Sequence, residues 1–333
     1  MPKSLLVAIM RNEGPYILEW VAHHRAIGFT SILVFTNDCT DGSDAMLDRL
    51  MEIGLVVHMP NPKTAFHALS TWQVAALRYA SRSSLYRKAE LVCTIDADEF
   101  LEVSVGDGTL GALVAQAQFD LMSLPVIGYR SDGETAIKDG SVQDRFTVSR
   151  ADMRQDQPWP PRPTSVKTLS RPDIPHAHFR NHRPKIEGFS GSGMVWLDGS
   201  GKPYPADFTD KKVNGWVFNA RPALAHVNHH SLRSRDSFLV KNLRGDAVTA
   251  SRLGTETKQQ IGAAIKYWNS RNHGDLPPRV VHRPEAALDL WEQLKADPAL
   301  RDLHDHACEI HTQNANALLA TPSGQALIAG MTM

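Results

Sequence analysis

The segment Asp96-Ala97-Asp98-Glu99-Phe100 follows directly on the apolar run Leu91-Val92-Cys93-Thr94-Ile95. The run is short, uninterrupted and rich in β-formers, the pattern of a buried strand in a mostly parallel sheet. Two aspartates one residue apart then emerge at its C-terminal end, the edge where open α/β sheets place their ligands. Paired carboxylates repel each other and are costly to bury. A divalent cation resolves that conflict. Hard oxygen donors favour Mg²⁺ or Mn²⁺, ions that also bind substrate phosphates. The plainer reading of the same residues is a helix start, with Asp98 as cap and Glu99 in the first turn.

The elements that must position this motif are readable over residues 1–105. Strands are expected at Leu5–Met10, Ser31–Phe35, Leu55–His58 and Leu91–Ile95. Helices are expected from Pro15 to Gly28, from Ser43 or Asp44 through Leu50, and over Ala65–Ser81. This alternation predicts a parallel sheet with right-handed crossovers. Arg11-Asn12-Glu13, Asn37-Asp38 and Asp96-Ala97-Asp98 then share one sheet edge. Polar clusters converging from several strand ends make a site, although Asn12, Asn37 and Glu13 are also ordinary turn or helix-start residues.

The middle changes character. Leu121–Leu124, Arg145–Val148, Ser165–Leu169 and Gly193–Leu197 read as short strands of a mixed sheet, separated by long loops. Gln157–Pro163 reads as a stiff loop. A helix is expected over Ser234–Leu243, and further helices over Lys258–Trp268, Glu285–Ala296 and Ala299–Ala320. Trp268 and Trp291 read as packing residues rather than sugar platforms.

Composition narrows the partners. Lys+Arg 36 balances Asp+Glu 36, which leaves no basic excess for a nucleic acid backbone. The 3 Cys carry no C-x-x-C spacing, so a disulfide framework or zinc site is not expected and a reducing compartment fits. The apolar run after Met1-Pro2-Lys3-Ser4 is too short for a signal segment, and no stretch approaches a membrane span. The expectation is a cytoplasmic protein, touching the inner membrane face at most peripherally.

Four blocks resemble the family 2-like glycosyltransferases of the GT-A fold, in the bacterial subgroup with a "DxDEF" acidic motif. They are Ala8–Trp20 with His23-His24 and Gly28-Phe29; Asn37–Asp44; Asp96–Leu101; and Asn228–Ser234 with Phe238–Lys241 and Arg244-Gly245. The resemblance is strong over residues 4–105, good over 220–245 and weak between. It implies an α/β GT-A domain over about 1–250, with the helical stretch 251–333 as a C-terminal extension. It also implies a nucleotide-diphosphate sugar donor, a glycan or glycolipid acceptor, and Mn²⁺ or Mg²⁺. By the same resemblance Asp96 contacts the ribose or a metal-bound water, and Asp98 ligates the metal. Arg11, Asn12, Glu13, Asn37 and Asp38 fall where the nucleotide is held, and His229 adds a metal or phosphate contact. Relatives usually carry Tyr where this chain has His230. Strand neighbours face opposite ways, so the two histidines are not expected to share the role.

Residue chemistry agrees. The leaving nucleoside diphosphate accumulates charge that a metal neutralises. Lys241 and Arg244, three apart, share a helix face that either reaches phosphate or is simply solvated. Family members generally invert, which requires a base for the acceptor hydroxyl. Asp132 and Glu187 are the candidates, each also readable as a plain loop carboxylate. The His/Arg-rich stretch 176–185 could meet an anion but lacks tight metal-ligand spacing. Other readings fare worse. A D-x-D phosphotransferase wants Thr or Val where Phe100 stands, and neither a Gly-rich nucleotidyltransferase loop nor a P-loop is present. A non-catalytic binding relic of the same fold would not need both aspartates.

Overall fold

A computed structural model describes residues 1–65, 71–149, 164–174, 179–184, 186, 189, 192–204, 216–217, 222–244, 258–273 and 276–332. The first half holds β1 (Ser4–Met10), α1 (Gly14–Ala26), β2 (Ser31–Thr36), α2 (Ser43–Glu52), β3 (Val57–Pro60), α3 (Trp72–Ala80), α4 (Ser84–Lys88) and β4 (Leu91–Thr94). Strands β3, β2, β1 and β4 lie side by side in that order, all parallel. Every residue of β1 is buried, because helices cover both faces. Leu6, Ala8 and Met10 pack with α1 and α2, whereas Leu5, Val7 and Ile9 pack with α3 and α4. Each such side chain larger than alanine contributes about 2 kcal/mol by leaving water.

The second half holds β5 (Glu99–Val103), α5 (Leu110–Gln116), β6 (Leu121–Gly128), α6 (Val142–Arg145), β7 (Thr164–Ser170), β8 (Trp196–Asp198), β9 (Trp216–Val217) and β10 (Ala225–His229). The sheet continues from β4 through β7, β6 and β10 to β5, with β8 beside β6 and β9 beside β7. Strands β7 and β5 run antiparallel to their neighbours, and β10 runs parallel to β6. Four strand spacings would place β5 about 19 Å from β4 in a flat sheet. The chain from Thr94 to Glu99 reaches at most about 17 Å. The sheet therefore curls, and the acidic motif bridges its two halves.

The C-terminal part is helical: α7 (Arg235–Arg244), α8 (Lys258–Asn269), α9 (Glu285–Ala296), α10 (Pro298–Leu319) and α11 (Pro322–Gly330). Trp291, Leu294 and Leu300 join the core around α1 and the sheet. Leu232, Phe238 and Leu239 pack with Ala264, Trp268, Leu318 and Leu327. Both tryptophans are buried. Among the described residues no helix is long and apolar enough to cross a membrane.

Three expectations need correction. Glu99 to Val103 is strand β5, not the first turn of a helix, so the capping alternative for Asp98 is excluded. Arg145 closes the short helix α6 rather than opening a strand. There the buried Glu19 carboxylate collects the Ser141 hydroxyl (2.7 Å) and the Val142 N–H (2.8 Å), while Ser141 Oγ caps Asp144 N. The helix expected from Ala65 starts at Trp72, where Thr71 caps it. Residues 66–70, and the loop expected at 157–163, lie outside the described residues.

Candidate active site

The loops leaving β1 and β2 are fastened together. Asn12 and Asp38 both have left-handed backbones (φ +52° and +50°), which Asn and Asp tolerate better than most residues. The Asn12 amide donates to Thr40 Oγ1 (3.1 Å) and accepts from Thr40 N (2.7 Å). Asp41 accepts from Gly14 N (3.0 Å) and from the Ser43 hydroxyl (2.6 Å), while Ser43 Oγ accepts from Glu13 N (2.9 Å). These bonds satisfy N–H groups at the start of α1, which has no side-chain cap of its own. Asn37 is buried and donates to Asp38 Oδ2 (3.1 Å), leaving Asp38 at the exposed tip. Arg11 lies half-buried at the foot of this loop pair.

The acidic motif is held from beneath by a lysine that sequence reasoning missed. Lys167 on β7 is fully buried, and its ammonium donates to Asp96 Oδ2 (2.9 Å) and Asn181 Oδ1 (2.9 Å) and pairs with Glu99 Oε2 (2.8 Å). Burial alone would lower the Lys167 pKa, but Asp96 and Glu99 raise it above the ordinary value. Burial pushes Asp96 up and Asp98 adds to that, yet Lys167 leaves its carboxyl below the usual range. The Asp96 side chain remains 38% exposed. A signal existed: a lysine flanked by strand formers in Ser165-Val166-Lys167-Thr168-Leu169 points inward only if carboxylates await it.

Asp98 is buried and meets the late block. Lys241 Nζ hydrogen-bonds its Oδ2, and His229 Nε2 lies 3.4 Å from the same oxygen. Burial would raise the Asp98 carboxyl, but Lys241 and His229 hold it well below the usual range. Burial pulls His229 down and Asp98 more than reverses this, so its imidazole titrates above the ordinary value. Lys241 is raised in the same way. His230 turns to the opposite face, where its ring stacks on Tyr129 (4.6 Å) and meets Phe100 edge-on. Burial first, and then Arg233, push its pKa down to about 3, so it is a neutral packing group.

Two further residues complete the cluster. Arg233, also left-handed (φ +53°), donates to Glu13 Oε2 (3.1 Å) and to the Ala97 carbonyl (2.7 Å), and lies 3.5 Å over the Tyr16 ring. It thus ties the first, third and fourth blocks together. The Tyr267 phenol on α8 sits among Lys241, His229 and Arg271. Burial opposes its ionisation, but those cations hold its pKa below the ordinary value. A small cleft opens between Asn12, Tyr16, Asp98, Arg233 and Lys241.

Asp132 lies in the loop after β6, whose last residue Gly128 pairs with His229. Its backbone is left-handed (φ +49°), Arg130 Nε approaches to 3.4 Å, and burial raises its carboxyl. Glu187 lies outside the described residues, as do His176, His178 and the side chain of Arg244. His182 donates from Nδ1 to the Val166 carbonyl (3.1 Å) below the motif, and Arg183 stacks on Trp196. Among the described residues no three His, Cys, Asp or Glu side chains converge as a ready-made metal cage.

No protein-family model and no curated protein matches the chain. Among solved structures, the chain is similar to S. aureus TarS 1-349 in complex with UDP-GlcNAc at 11% identity and a TM-score of 0.31, covering 95% of this chain and 91% of that one. It is similar to HddC from Yersinia pseudotuberculosis at 11% identity and a TM-score of 0.31, covering 60% and 89%. The mannosyltransferase Ktr4p from S. cerevisiae follows at 10% identity and a TM-score of 0.23, covering 37% and 39%. Likeness this low carries no weight for the activity.

Proposed function

We propose that the protein is a GT-A-type glycosyltransferase that moves a sugar from a nucleotide-diphosphate donor to a glycan or glycolipid acceptor, with Mn²⁺ or Mg²⁺ and with inversion. The observation that carries this reading is the meeting of Asp98, His229 and Lys241 at the strand ends, beside the loops of Asn12 and Asp38. Adjacent ligands on an octahedral Mg²⁺-sized ion stand about 3 Å apart. The 3.4 Å between Asp98 Oδ2 and His229 Nε2 fits that spacing. Two protein ligands suit an ion that completes its shell with phosphate and water oxygens. Charge balance supports the same reading. Lys167 and Arg233 are each already matched by a carboxylate, and Lys241 alone leaves a diphosphate short of positive charge. A bound divalent ion would supply that charge to the leaving group.

The remaining roles belong to the chain's own side chains. Asp96, oriented and kept ionised by Lys167, is the acceptor for a ribose hydroxyl or a metal-bound water. The clamped loops of Arg11, Asn12, Glu13, Asn37 and Asp38 shape the nucleotide end. Lys241 donates to phosphate, and Arg244 follows it on the same helix. Asp132, with its raised pKa and its place in the loop that follows β6, is the described candidate for the base that takes the acceptor proton. Inversion and the acceptor class come from the family resemblance.

The direct test is slow hydrolysis of nucleotide sugars without acceptor. Release of nucleoside diphosphate should require Mn²⁺ or Mg²⁺ and fall at least about 100-fold in Asp98→Asn. Metal-independent release, or an unaffected variant, would refute the reading.

A further inference from the structure

The acidic motif is carried on a β-turn from Asp96 to Glu99. Glu99 N–H donates to the Asp96 carbonyl (3.0 Å), so Ala97 and Asp98 are its central residues. Its ends are fixed. Trp20 Nε1 donates to the Asp96 carbonyl (3.0 Å), Asp96 N–H donates to Glu99 Oε2 (2.9 Å), and His230 N–H donates to the Asp98 carbonyl (2.8 Å). The central peptide is the soft part of such a turn. Rotating it interconverts turns with negative and with positive φ at the second central residue. That residue is Asp98, whose φ is negative. An aspartate tolerates either sign, as Asp38 shows at +50°, so the turn's own sequence does not settle the choice.

Arg233 settles it. One terminal nitrogen donates to the Ala97 carbonyl (2.7 Å), the oxygen of that central peptide. The other donates to Glu13 Oε2 (3.1 Å), on the loop assigned above to the nucleotide. The guanidinium lies 3.5 Å over the Tyr16 ring, whose hydroxyl is in turn hydrogen-bonded to Ser237 Oγ (2.6 Å). Arg233 is buried and lines the same cleft as Asn12, Asp98 and Lys241. It reaches this place from a left-handed backbone that arginine seldom adopts, a strain that persists only where the surroundings impose it.

We propose that Arg233 is a positioning residue that couples the nucleotide loop to the metal ligand Asp98, an inference that rests on the transferase reading above. It acts on the metal through the Ala97 carbonyl, which sets the direction of Asp98, and on the nucleotide through Glu13. Two sites joined in this way strengthen each other's ligand by the same factor. A lysine is a point donor and cannot span Glu13 and Ala97 as the planar fork does.

Titration calorimetry with UDP, GDP, CDP and dTDP, each with and without Mn²⁺, tests this. In the wild type Mn²⁺ should tighten one of them. Arg233→Lys should cut that tightening about tenfold while leaving metal-free affinity within about twofold. Mn²⁺ titrations with and without the same nucleotide should lose an equal factor. Glu13→Gln keeps an acceptor oxygen but loses the charge. It should cut the tightening by a smaller factor, and it carries the test if Arg233→Lys does not fold. Unchanged tightening in the folded variants overturns the proposal. Equal weakening with and without Mn²⁺, the mark of a direct nucleotide contact, overturns it too. A wild type that binds none of the probes, or binds without help from Mn²⁺, overturns the transferase reading instead, and this inference with it.

Discussion

At the scale of single residues, the site is a set of buried charges that satisfy one another. Lys167 is the clearest case. Lys167→Met would leave Asp96 and Glu99 facing each other without a cation, and should cost about 3–5 kcal/mol in urea unfolding. A loss under 1 kcal/mol would mean that the pairs are not formed. The neutral histidines give a pH prediction. Burial brings His23 and His226 down to about 4. The folded state then binds fewer protons than the unfolded chain between about pH 6.5 and 4. Their contribution is complete above the ordinary value and is lost as pH falls through that window, by about 1 kcal/mol per pH unit for each. Urea midpoints measured from pH 7.5 to 4.5 should fall accordingly, and His226→Gln should flatten the slope. These groups were not legible in advance, because a histidine's burial depends on distant packing. The two aspartates were legible, because a strand followed by D-x-D exposes its chemistry locally.

At the scale of elements, strand alternation decides the late block. His229 and His230 are adjacent on or just beyond β10, and the pleat sends one to Asp98 and the other to Tyr129. His229→Ala should leave melting nearly unchanged and weaken Mn²⁺-dependent nucleotide binding. His230→Ala should open a cavity and cost about 2–4 kcal/mol. Equal effects of the two variants on melting would mean that the alternation has been read wrongly. The parallel half of the sheet was readable because β1, β2 and β4 are apolar runs with helix-period segments between them. The second half was not. Its strands are short, and β10 is joined to β5 and β6 by pairings distant in sequence that no local pattern reveals. The alternative of a helix start at Glu99 falls for the same reason. A carboxylate after Asp is a fair first-turn residue, until Lys167 from another strand claims it for the sheet.

At the scale of the whole molecule, the helical C-terminal part shares the core of the sheet rather than lying beside it. Gly14 at the start of α1 shows how closely the two approach. A Cβ added there would stand 2.4 Å from that of Ala307 on α10. Gly14→Ala should therefore push α10 away and cost about 1–3 kcal/mol, read as a lowered melting temperature. The helices themselves were legible from their periodicity, with Trp268 and Trp291 as packing residues. Their destination was not, since an amphipathic face does not say which surface it covers.

The central claim is that Asp98 and His229 hold a metal that binds a nucleoside diphosphate. A thermal-shift screen of UDP, GDP, CDP and dTDP, each with and without Mn²⁺, tests it most directly, because a ligand of the native state raises the melting temperature by mass action. The account predicts a rise with one nucleotide that needs Mn²⁺ and vanishes in Asp98→Asn. A rise that ignores Mn²⁺, or that survives in the variant, would contradict it.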